Sequence, residues 1–318
     1  MSFRIKISAD HDGRRIDKVL RAIFPNIPLS AIMRALRKGE VILDAKRARE
    51  PDVRVAGGQE LYVPWNIKEE VIKAESAGEK TSGIKKLPDV PYIYKDDAVC
   101  IVNKPADLLV QPDVKGGDSV ITRIWAMFGR GVQGFAPAAV HRLDRNTTGV
   151  LAVAMSGGAL RELELLFMER RIHKIYLAIV AGNAPSSGDI KAPLLKDEVN
   201  NFVSVDPEGK SSHTRFEKIL NGDGFSVLSV ELLTGRTHQA RVHLAHAGIP
   251  ILGDQKYGRI ETNKEARRMG IKRPLLHAWK IIFPDRISDK LLSAVAGKCF
   301  TAPPPDDMMM YYNAFAKK

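Results

Sequence analysis

Apolar residues in the first part of the chain recur at a helical period. Ile16, Leu20 and Ile23 fall on one face, with Asp12 before them as a candidate cap. After Pro28, Ser30 opens a second helical pattern through Ile32 and Leu36 that stops at Gly39. Val41-Ile42-Leu43 and Glu60-Leu61-Tyr62-Val63, the latter after the Gly57-Gly58 turn, read as strands. From residue 67 to 88 the pattern fades into Lys, Glu, Ser and Gly with few large apolar side chains, which predicts a flexible linker.

Patterning resumes at Tyr92-Ile93-Tyr94 and continues through the strand Val99-Cys100-Ile101-Val102 to a turn at Lys104-Pro105. Val150 to Ala154 predicts a buried strand. Leu160, Leu163, Leu166 and Phe167 give one apolar face to a helix ending near Arg170-Arg171. Tyr176 to Val180, Val227 to Leu233 and Leu275 to Phe283 read as strands, and Thr237 to Ala247 as a helix stopped by Gly248. No internal repeat is visible. Strands follow strands without regular helical alternation, so the expected class is α+β with a mixed, largely antiparallel sheet. The expected division is 1–66, a small N-terminal unit; 67–88, the linker; and 89–318, the main domain.

Charge narrows the partner. The chain carries a formal net charge of +12, and basic residues such as Arg34, Arg37 and Lys38 decorate the N-terminal helices. That excess attracts polyanions, although a merely basic soluble protein would share it. Two cysteines, Cys100 and Cys299, cannot build a disulfide framework and fit a reducing compartment. The first residues lack the apolar run of a signal peptide, and no stretch approaches the roughly 18 apolar residues of a membrane span. A cytoplasmic protein without a membrane partner is expected.

Two polar segments carry candidate chemistry. In His141-Arg142-Leu143-Asp144-Arg145-Asn146-Thr147-Thr148-Gly149, a charged loop stands directly before an apolar strand. Arginines beside a carboxylate favour the ionised form that a nucleophile needs, while a turn aspartate in a structural ion pair is the bland alternative. In Leu233-Thr234-Gly235-Arg236-Thr237-His238-Gln239-Ala240-Arg241, Arg236 sits at the mouth of a helix whose candidate cap is Thr237. Its guanidinium could fork onto a carboxylate or a phosphate, or Arg236 and Arg241 could both be surface charges. The spacing of His238, His243 and His246 does not match a helical zinc pair. Gly129-Arg130-Gly131 with Gly134 fits neither the Walker nor the dinucleotide pattern, and there is no nucleophile-elbow serine. Neither metal nor cofactor is expected.

The Asp144 segment resembles the signature of the RluA-type pseudouridine synthases. Supporting segments stand in that family's order: Asn103-Lys104-Pro105, Lys174-Ile175-Tyr176, Thr234 to Gln239, Gly253-Asp254 with Tyr257-Gly258, and Leu276-His277-Ala278. The N-terminal unit resembles the alpha-L RNA-binding domain of ribosomal proteins. Ala192 to Lys196, Glu208-Gly209-Lys210 and Thr214-Arg215-Phe216 are most similar to the RluC branch, which implies large-subunit ribosomal RNA as the partner. Asn146, Thr148, Ala240 and Asp44 depart from the common pattern.

The resemblance implies a cofactor-free isomerase that turns uridine into pseudouridine after everting the base; a monomer is expected. It implies Asp144 as nucleophile, Arg236 as its ion-pair partner and Tyr176 as a ring stacking on uracil and aiding proton removal at carbon 5. Leu276 is implied as pocket lining and Arg142 as the side chain filling the vacated stack. Arg34, Arg37 and Lys38 would hold phosphates. Two rivals remain at this point: a non-enzymatic RNA-binding assembly factor, and a nucleoside glycosidase with Asp254 as a second carboxylate.

Overall fold

A computed structural model of the chain describes residues 3–65, 87–113, 117–129, 134–222 and 224–316. The expected linker, 67–88, falls outside them except for its last two residues. Leu276 to Ile282, Thr148 to Ala154 and their neighbours form the architecture expected from the pattern, an α+β fold in which all but one strand pairing of the main sheet is antiparallel.

The N-terminal unit has its own sheet, ordered β1 (Phe3–Lys6), β4 (Glu60–Val63), β2 (Ile42–Leu43) and β3 (Lys46–Arg47), against helices α1 (Ile16–Ile23) and α2 (Leu29–Lys38). Ile16, Leu20, Ile32, Leu36 and Leu61 have no exposed surface. Each contributes roughly 1.5–3 kcal/mol by leaving water, so the helical stripe read from sequence is the core face. The caps differ from expectation. Asp12 does not cap α1, whose N-cap is Arg15, and instead accepts the Gly57 amide at 3.1 Å. The second helix begins at Leu29 behind Pro28, a residue whose fixed φ suits that entry. Asp44 and Ala45 both have positive φ, 44° and 64°, and join β2 to β3 in a tight hairpin turn. Asp44 Oδ1 also accepts the Glu60 amide at 2.8 Å, tying that turn to β4.

The larger sheet has, among the described residues, the order β10 (Ser187–Lys191), β13 (His213–Asn221), β14 (Phe225–Leu232), β9 (His173–Ala181), β15 (Leu276–Ile282), β8 (Thr148–Ala154), β6 (Val99–Lys104) and β5 (Tyr92–Lys95). β7 (Ala138–Ala139) pairs with β8, and β16 (Cys299–Thr301) with β15. β8 and β15 run parallel at the centre, with Thr148 opposite His277 and Gly149 opposite Ala278. β8 is buried along its whole length, as its uninterrupted apolar run predicts for a central strand. Helices α3 (Val120–Phe128), α4 (Gly157–Met168), α5 (Gln239–His246), α6 (Ile260–Arg268) and α7 (Asp306–Ala316) pack around the sheet. A hairpin of β11 (Leu194–Asp197) and β12 (Phe202–Val205) stands beside α5. The two units touch where the Gly157 amide donates to Asp10 Oδ1 at 3.0 Å and Arg161 Nη1 to the Asp12 carbonyl at 2.8 Å. Among the described residues no helix is long and apolar enough to cross a membrane.

Candidate active site

The Asp144 loop enters β8 through Gly149, and the reason is a close approach. Gly149 has φ 107°, and a Cβ there would lie 2.1 Å from the Ala278 carbonyl oxygen of β15. Only a glycine lets the loop drop directly onto the parallel strand. The loop's other end is fastened by His141, whose Nε2 accepts the Ala152 amide at 3.1 Å and whose ring packs on Phe167. Within the loop, the Thr147 amide donates to the Asp144 carbonyl at 3.0 Å.

Two buried cations hold the loop from behind. Lys104, fully buried, donates from Nζ to the Arg145 carbonyl at 2.9 Å and to the Pro105 carbonyl at 2.8 Å. Burial lowers its pKa to about 7; Arg273 adds to that effect, and Asp144 and Asp107 oppose it. Arg273 donates from Nη1 to the Asn146 carbonyl at 3.2 Å while Asp307 of α7 grips its other face at 2.7 Å. Consecutive carbonyls are thus pinned, and Asp144 just before them has a fixed backbone.

The side chain of Asp144 is 28% exposed and meets Arg241, whose Nη1 donates to Oδ2 at 3.0 Å. Arg241 is held in turn by Asp254: Nε to Oδ2 at 2.7 Å and Nη2 to Oδ1 at 2.8 Å. Burial alone would lower the Arg241 pKa, but the Asp254 fork and the charge of Asp144 outweigh it and raise the value. Asp254 is 1% exposed, and its Oδ1 also accepts the Lys256 and Tyr257 amides. Both oxygens of Asp254 are therefore committed, and it is not an open second carboxylate of the kind a glycosidase needs to activate water. The expectation that Arg236 is the ion-pair partner of Asp144 is corrected by this geometry. Arg236 is exposed in the turn before α5, with Nε 3.4 Å from the Ser211 carbonyl. Arg241 lies in the first turn of α5, where its neighbours Ala240 and Val242 are buried and helical side chains lean toward the N-terminal mouth.

The expected cap of that helix is also displaced. His238, not Thr237, is the N-cap, in the left-handed region with φ 53°. Its ring lies between Tyr257, whose hydroxyl is 2.7 Å from Nδ1, and Asp144, whose Oδ2 is 3.8 Å from Nε2. His243 is spent on Thr214 and the Ala192 carbonyl, and the described residues contain no cluster of His, Cys, Asp or Glu arranged to hold a metal.

Tyr176 and Leu276 occupy adjacent strands, β9 and β15, with Ala278 opposite Tyr176. Both are nearly buried in one apolar cluster that includes Leu143 and Ala240, residues flanking the Asp144 loop and Arg241. Burial first, and the Asp144 charge second, raise the Tyr176 pKa well above the ordinary tyrosine value, so the phenol stays protonated at neutral pH. Arg142 is exposed at the loop surface. Arg34, Arg37 and Lys38 lie on the exposed face of α2 in the other unit. The residues that the reading of the sequence left without a role in the synthase site are Arg241, His238, Tyr257, Lys104 and Arg273, together with Asp254, which it named only for the glycosidase rival. All of them belong to, or adjoin, segments already singled out for their order along the chain.

Comparison with known proteins fits this arrangement. Residues 98–246 match the family described as RNA pseudouridylate synthase. The chain is 37% identical over 292 residues to ribosomal large subunit pseudouridine synthase C of Vibrio cholerae, covering 91% of this chain and 90% of that one. It is 36% identical over 293 residues to the protein of the same name from Escherichia coli K12, covering 88% of each. Among solved structures, human RNA pseudouridylate synthase domain containing 1 superposes with a TM-score of 0.55 at 25% identity, over 71% of this chain and 87% of that one. With a relative above 30% identity matched over nearly its full length, and with the Asp144 and Arg241 geometry in place, the chain belongs to the RNA pseudouridylate synthase family.

Proposed function

We propose that this protein isomerises specific uridines of large-subunit ribosomal RNA, as naked RNA or in a precursor particle, acting as a cytoplasmic monomer. The observation that carries the chemistry is Asp144: a partly open carboxylate, held on one oxygen by Arg241, beside the rings and aliphatic side chains of Tyr176 and Leu276. The names of the relatives support the choice of ribosomal RNA, and the exposed basic face of α2 supports an RNA contact on the N-terminal unit.

The reaction breaks the bond between ribose and the base nitrogen, turns the base and rejoins it through carbon. It needs no net oxidation, reduction or energy input. The uridine leaves its stack at a cost of a few kcal/mol, and the flat guanidinium of Arg142 fills the gap. Asp144 Oδ1, which makes no hydrogen bond among the described residues, starts glycosidic cleavage while Arg241 keeps Oδ2 fixed. Tyr176 stacks on uracil as a neutral phenol, and Leu276 closes the apolar side of the pocket. The proton at carbon 5 leaves in the last stage, so its release reports completed turnover.

Mapping pseudouridines in ribosomal RNA from cells with and without the protein tests this reading directly. At least one large-subunit position is expected to lose its pseudouridine, and to stay unmodified when Asp144→Asn is supplied instead. Unchanged ribosomal RNA would overturn the choice of substrate. Full modification by Asp144→Asn would overturn the chemistry and leave the protein a binder.

A further inference from the structure

His238 is the one non-glycine residue of the active site with a left-handed backbone among the described residues, φ 53° and ψ 18°. Such a conformation is unfavourable for a residue that bears a side chain, and it persists where the surroundings fix it. Here the ring is held through Nδ1. Nδ1 lies 2.7 Å from the Tyr257 hydroxyl, and that hydroxyl also accepts the Val203 amide at 3.1 Å.

The proton count favours one tautomer. The Val203 amide is a donor and occupies a lone pair of the Tyr257 oxygen, so the tyrosine's own proton is free for His238. No carbonyl or carboxylate competes for it among the described residues. With Nδ1 as acceptor the Tyr257 hydroxyl uses both its proton and a lone pair, whereas Nδ1–H would leave the phenol proton without an acceptor; the balance favours a neutral ring with its proton on Nε2. Nε2 faces Asp144 Oδ2 at 3.8 Å, the same oxygen that Arg241 holds at 3.0 Å. The His238 side chain is only 11% exposed. The charged groups around it are Asp144 and Asp254, which favour the charged ring, and Arg241 and Lys256, which oppose it. Burial is the largest influence and keeps the ring neutral.

A neutral donor suits this place better than a cation. Arg241 already supplies a full positive charge to Oδ2, and a second cation would hold the carboxylate back from attack. A neutral N–H can steady the same oxygen without that penalty. Contacts of this kind are often long in a free enzyme and shorten when substrate excludes water.

We infer that His238 is a positioning residue for the nucleophile, a neutral imidazole whose proton is placed on Nε2 by Tyr257 and which closes on Asp144 Oδ2 once the everted base fills the pocket, leaving Oδ1 as the attacking oxygen. The inference rests on Asp144 being the nucleophile of the proposed reaction. Its first consequence, the tautomer, does not depend on turnover at all.

Two measurements on the full chain test it. Nitrogen NMR of protein labelled in its histidine rings is expected to show His238 neutral with the proton on Nε2 at pH 7, and a shift toward mixed tautomers in Tyr257→Phe. An imidazolium, or a proton on Nδ1, would overturn the inference whether or not the chain modifies RNA. Single-turnover release of tritium from ribosomal RNA carrying tritium at carbon 5 of uridine is the second measurement. His238→Phe keeps ring volume without the donor and is expected to slow release by roughly tenfold or more, with filter-bound RNA affinity changed by less than about twofold. His238→Gln carries an amide N–H near the place of Nε2 and is expected to recover most of the rate. Wild-type rates in His238→Phe, or no recovery in a folded His238→Gln, would overturn the positioning role. If the wild-type chain itself releases no tritium, the proposed function falls instead, and the NMR result still judges the tautomer.

Discussion

Arg241→Lys separates the role of geometry from the role of charge at the centre of this site. The wild-type guanidinium makes three charge-assisted hydrogen bonds: two to Asp254 at 2.7 and 2.8 Å, and one to Asp144 at 3.0 Å. A lysine ammonium is a point donor on a flexible stem and cannot span both carboxylates. If it follows the deeper charge, it stays with Asp254 and the bond to Asp144 is lost. A hydrogen bond to a charged group is worth about 1.5–3 kcal/mol. At about 1.4 kcal/mol per tenfold, the single-turnover rate should fall by roughly 10- to 150-fold. Stability should fall by only about 1–2 kcal/mol, because Asp254 keeps a cation and its two backbone amides. Arg241→Met would be a poorer test, since it strands a buried carboxylate at a cost of about 3–5 kcal/mol. Tritium release at saturating RNA, with a urea titration beside it, reads both quantities. Arg236→Ala is the companion: exposed and away from Asp144, it is expected to weaken RNA binding at most, leaving the saturated rate near wild type. Arg241→Lys within twofold of wild type, or Arg236→Ala as slow as Arg241→Lys, would refute the assignment.

Three further outcomes follow from other parts of the structure. The triple substitution Arg34→Ala, Arg37→Ala, Lys38→Ala is expected to weaken ribosomal RNA binding at low salt and to reduce the slope of log affinity against log salt by about 2 to 3; an unchanged slope would remove α2 from the RNA interface. Gly149→Ala combines a φ of 107° with a Cβ placed 2.1 Å from the Ala278 carbonyl, so a loss of about 2–5 kcal/mol is expected in chemical denaturation, and wild-type stability would show that β8 and β15 can part without cost. His277 is buried and neutral, bonded through Nδ1 to Thr148 and through Nε2 to the Ala302 carbonyl, and its pKa is lowered to about 4, mainly by burial. The unfolded chain protonates it near 6.5, so its share of stability is complete above that pH and drains as pH falls to about 4, by about 3 kcal/mol in all. A stability profile between pH 7 and 4 should be flatter in His277→Asn, and parallel profiles would refute the linkage.

Local pattern revealed those elements whose residues bury one clear face. α1 and α2 showed it through Ile16, Leu20, Ile32 and Leu36, and β8 through an unbroken apolar run. It was silent where burial does not track hydrophobicity. β10 alternates half-buried and exposed positions along Ser-Gly-Asp-Ile-Lys, which offers no apolar face to read. α3 carried a readable start, the Ser119 and Thr122 capping box, but its apolar residues crowd together and obscure the helical period. The caps at Asp12 and Thr237 failed for a shared reason. Residue type says that a side chain can cap, while the path of the incoming chain decides which residue stands at the boundary, and at α5 that residue is a left-handed histidine.

The misplaced arginine makes the same point about the site. In Gly235-Arg236-Thr237-His238-Gln239-Ala240-Arg241, both arginines lie near a helix start, and composition cannot rank them. What ranks them is where the helix begins. If it began at Thr237, Arg236 would stand at the cap and Arg241 would lie two residues deeper in the helix, turned by about half a turn. With the first helical residue at Gln239, Gln239 itself reaches back, its Oε1 accepting the Arg236 amide at 3.0 Å and its Nε2 donating to the His213 carbonyl and Thr214. That anchors the turn, fixes Arg236 at the surface and sets Arg241 in the first helical turn, facing Asp144. The buried carboxylate of Asp254, beyond the end of α5, then makes the placement necessary: a position with 1% exposure and a negative charge requires a cation against it. The arginine that pairs with Asp144 is thus selected by a partner that lies outside its own segment, which is why order along the chain pointed to the segment and only the fold could say which guanidinium meets the carboxylate.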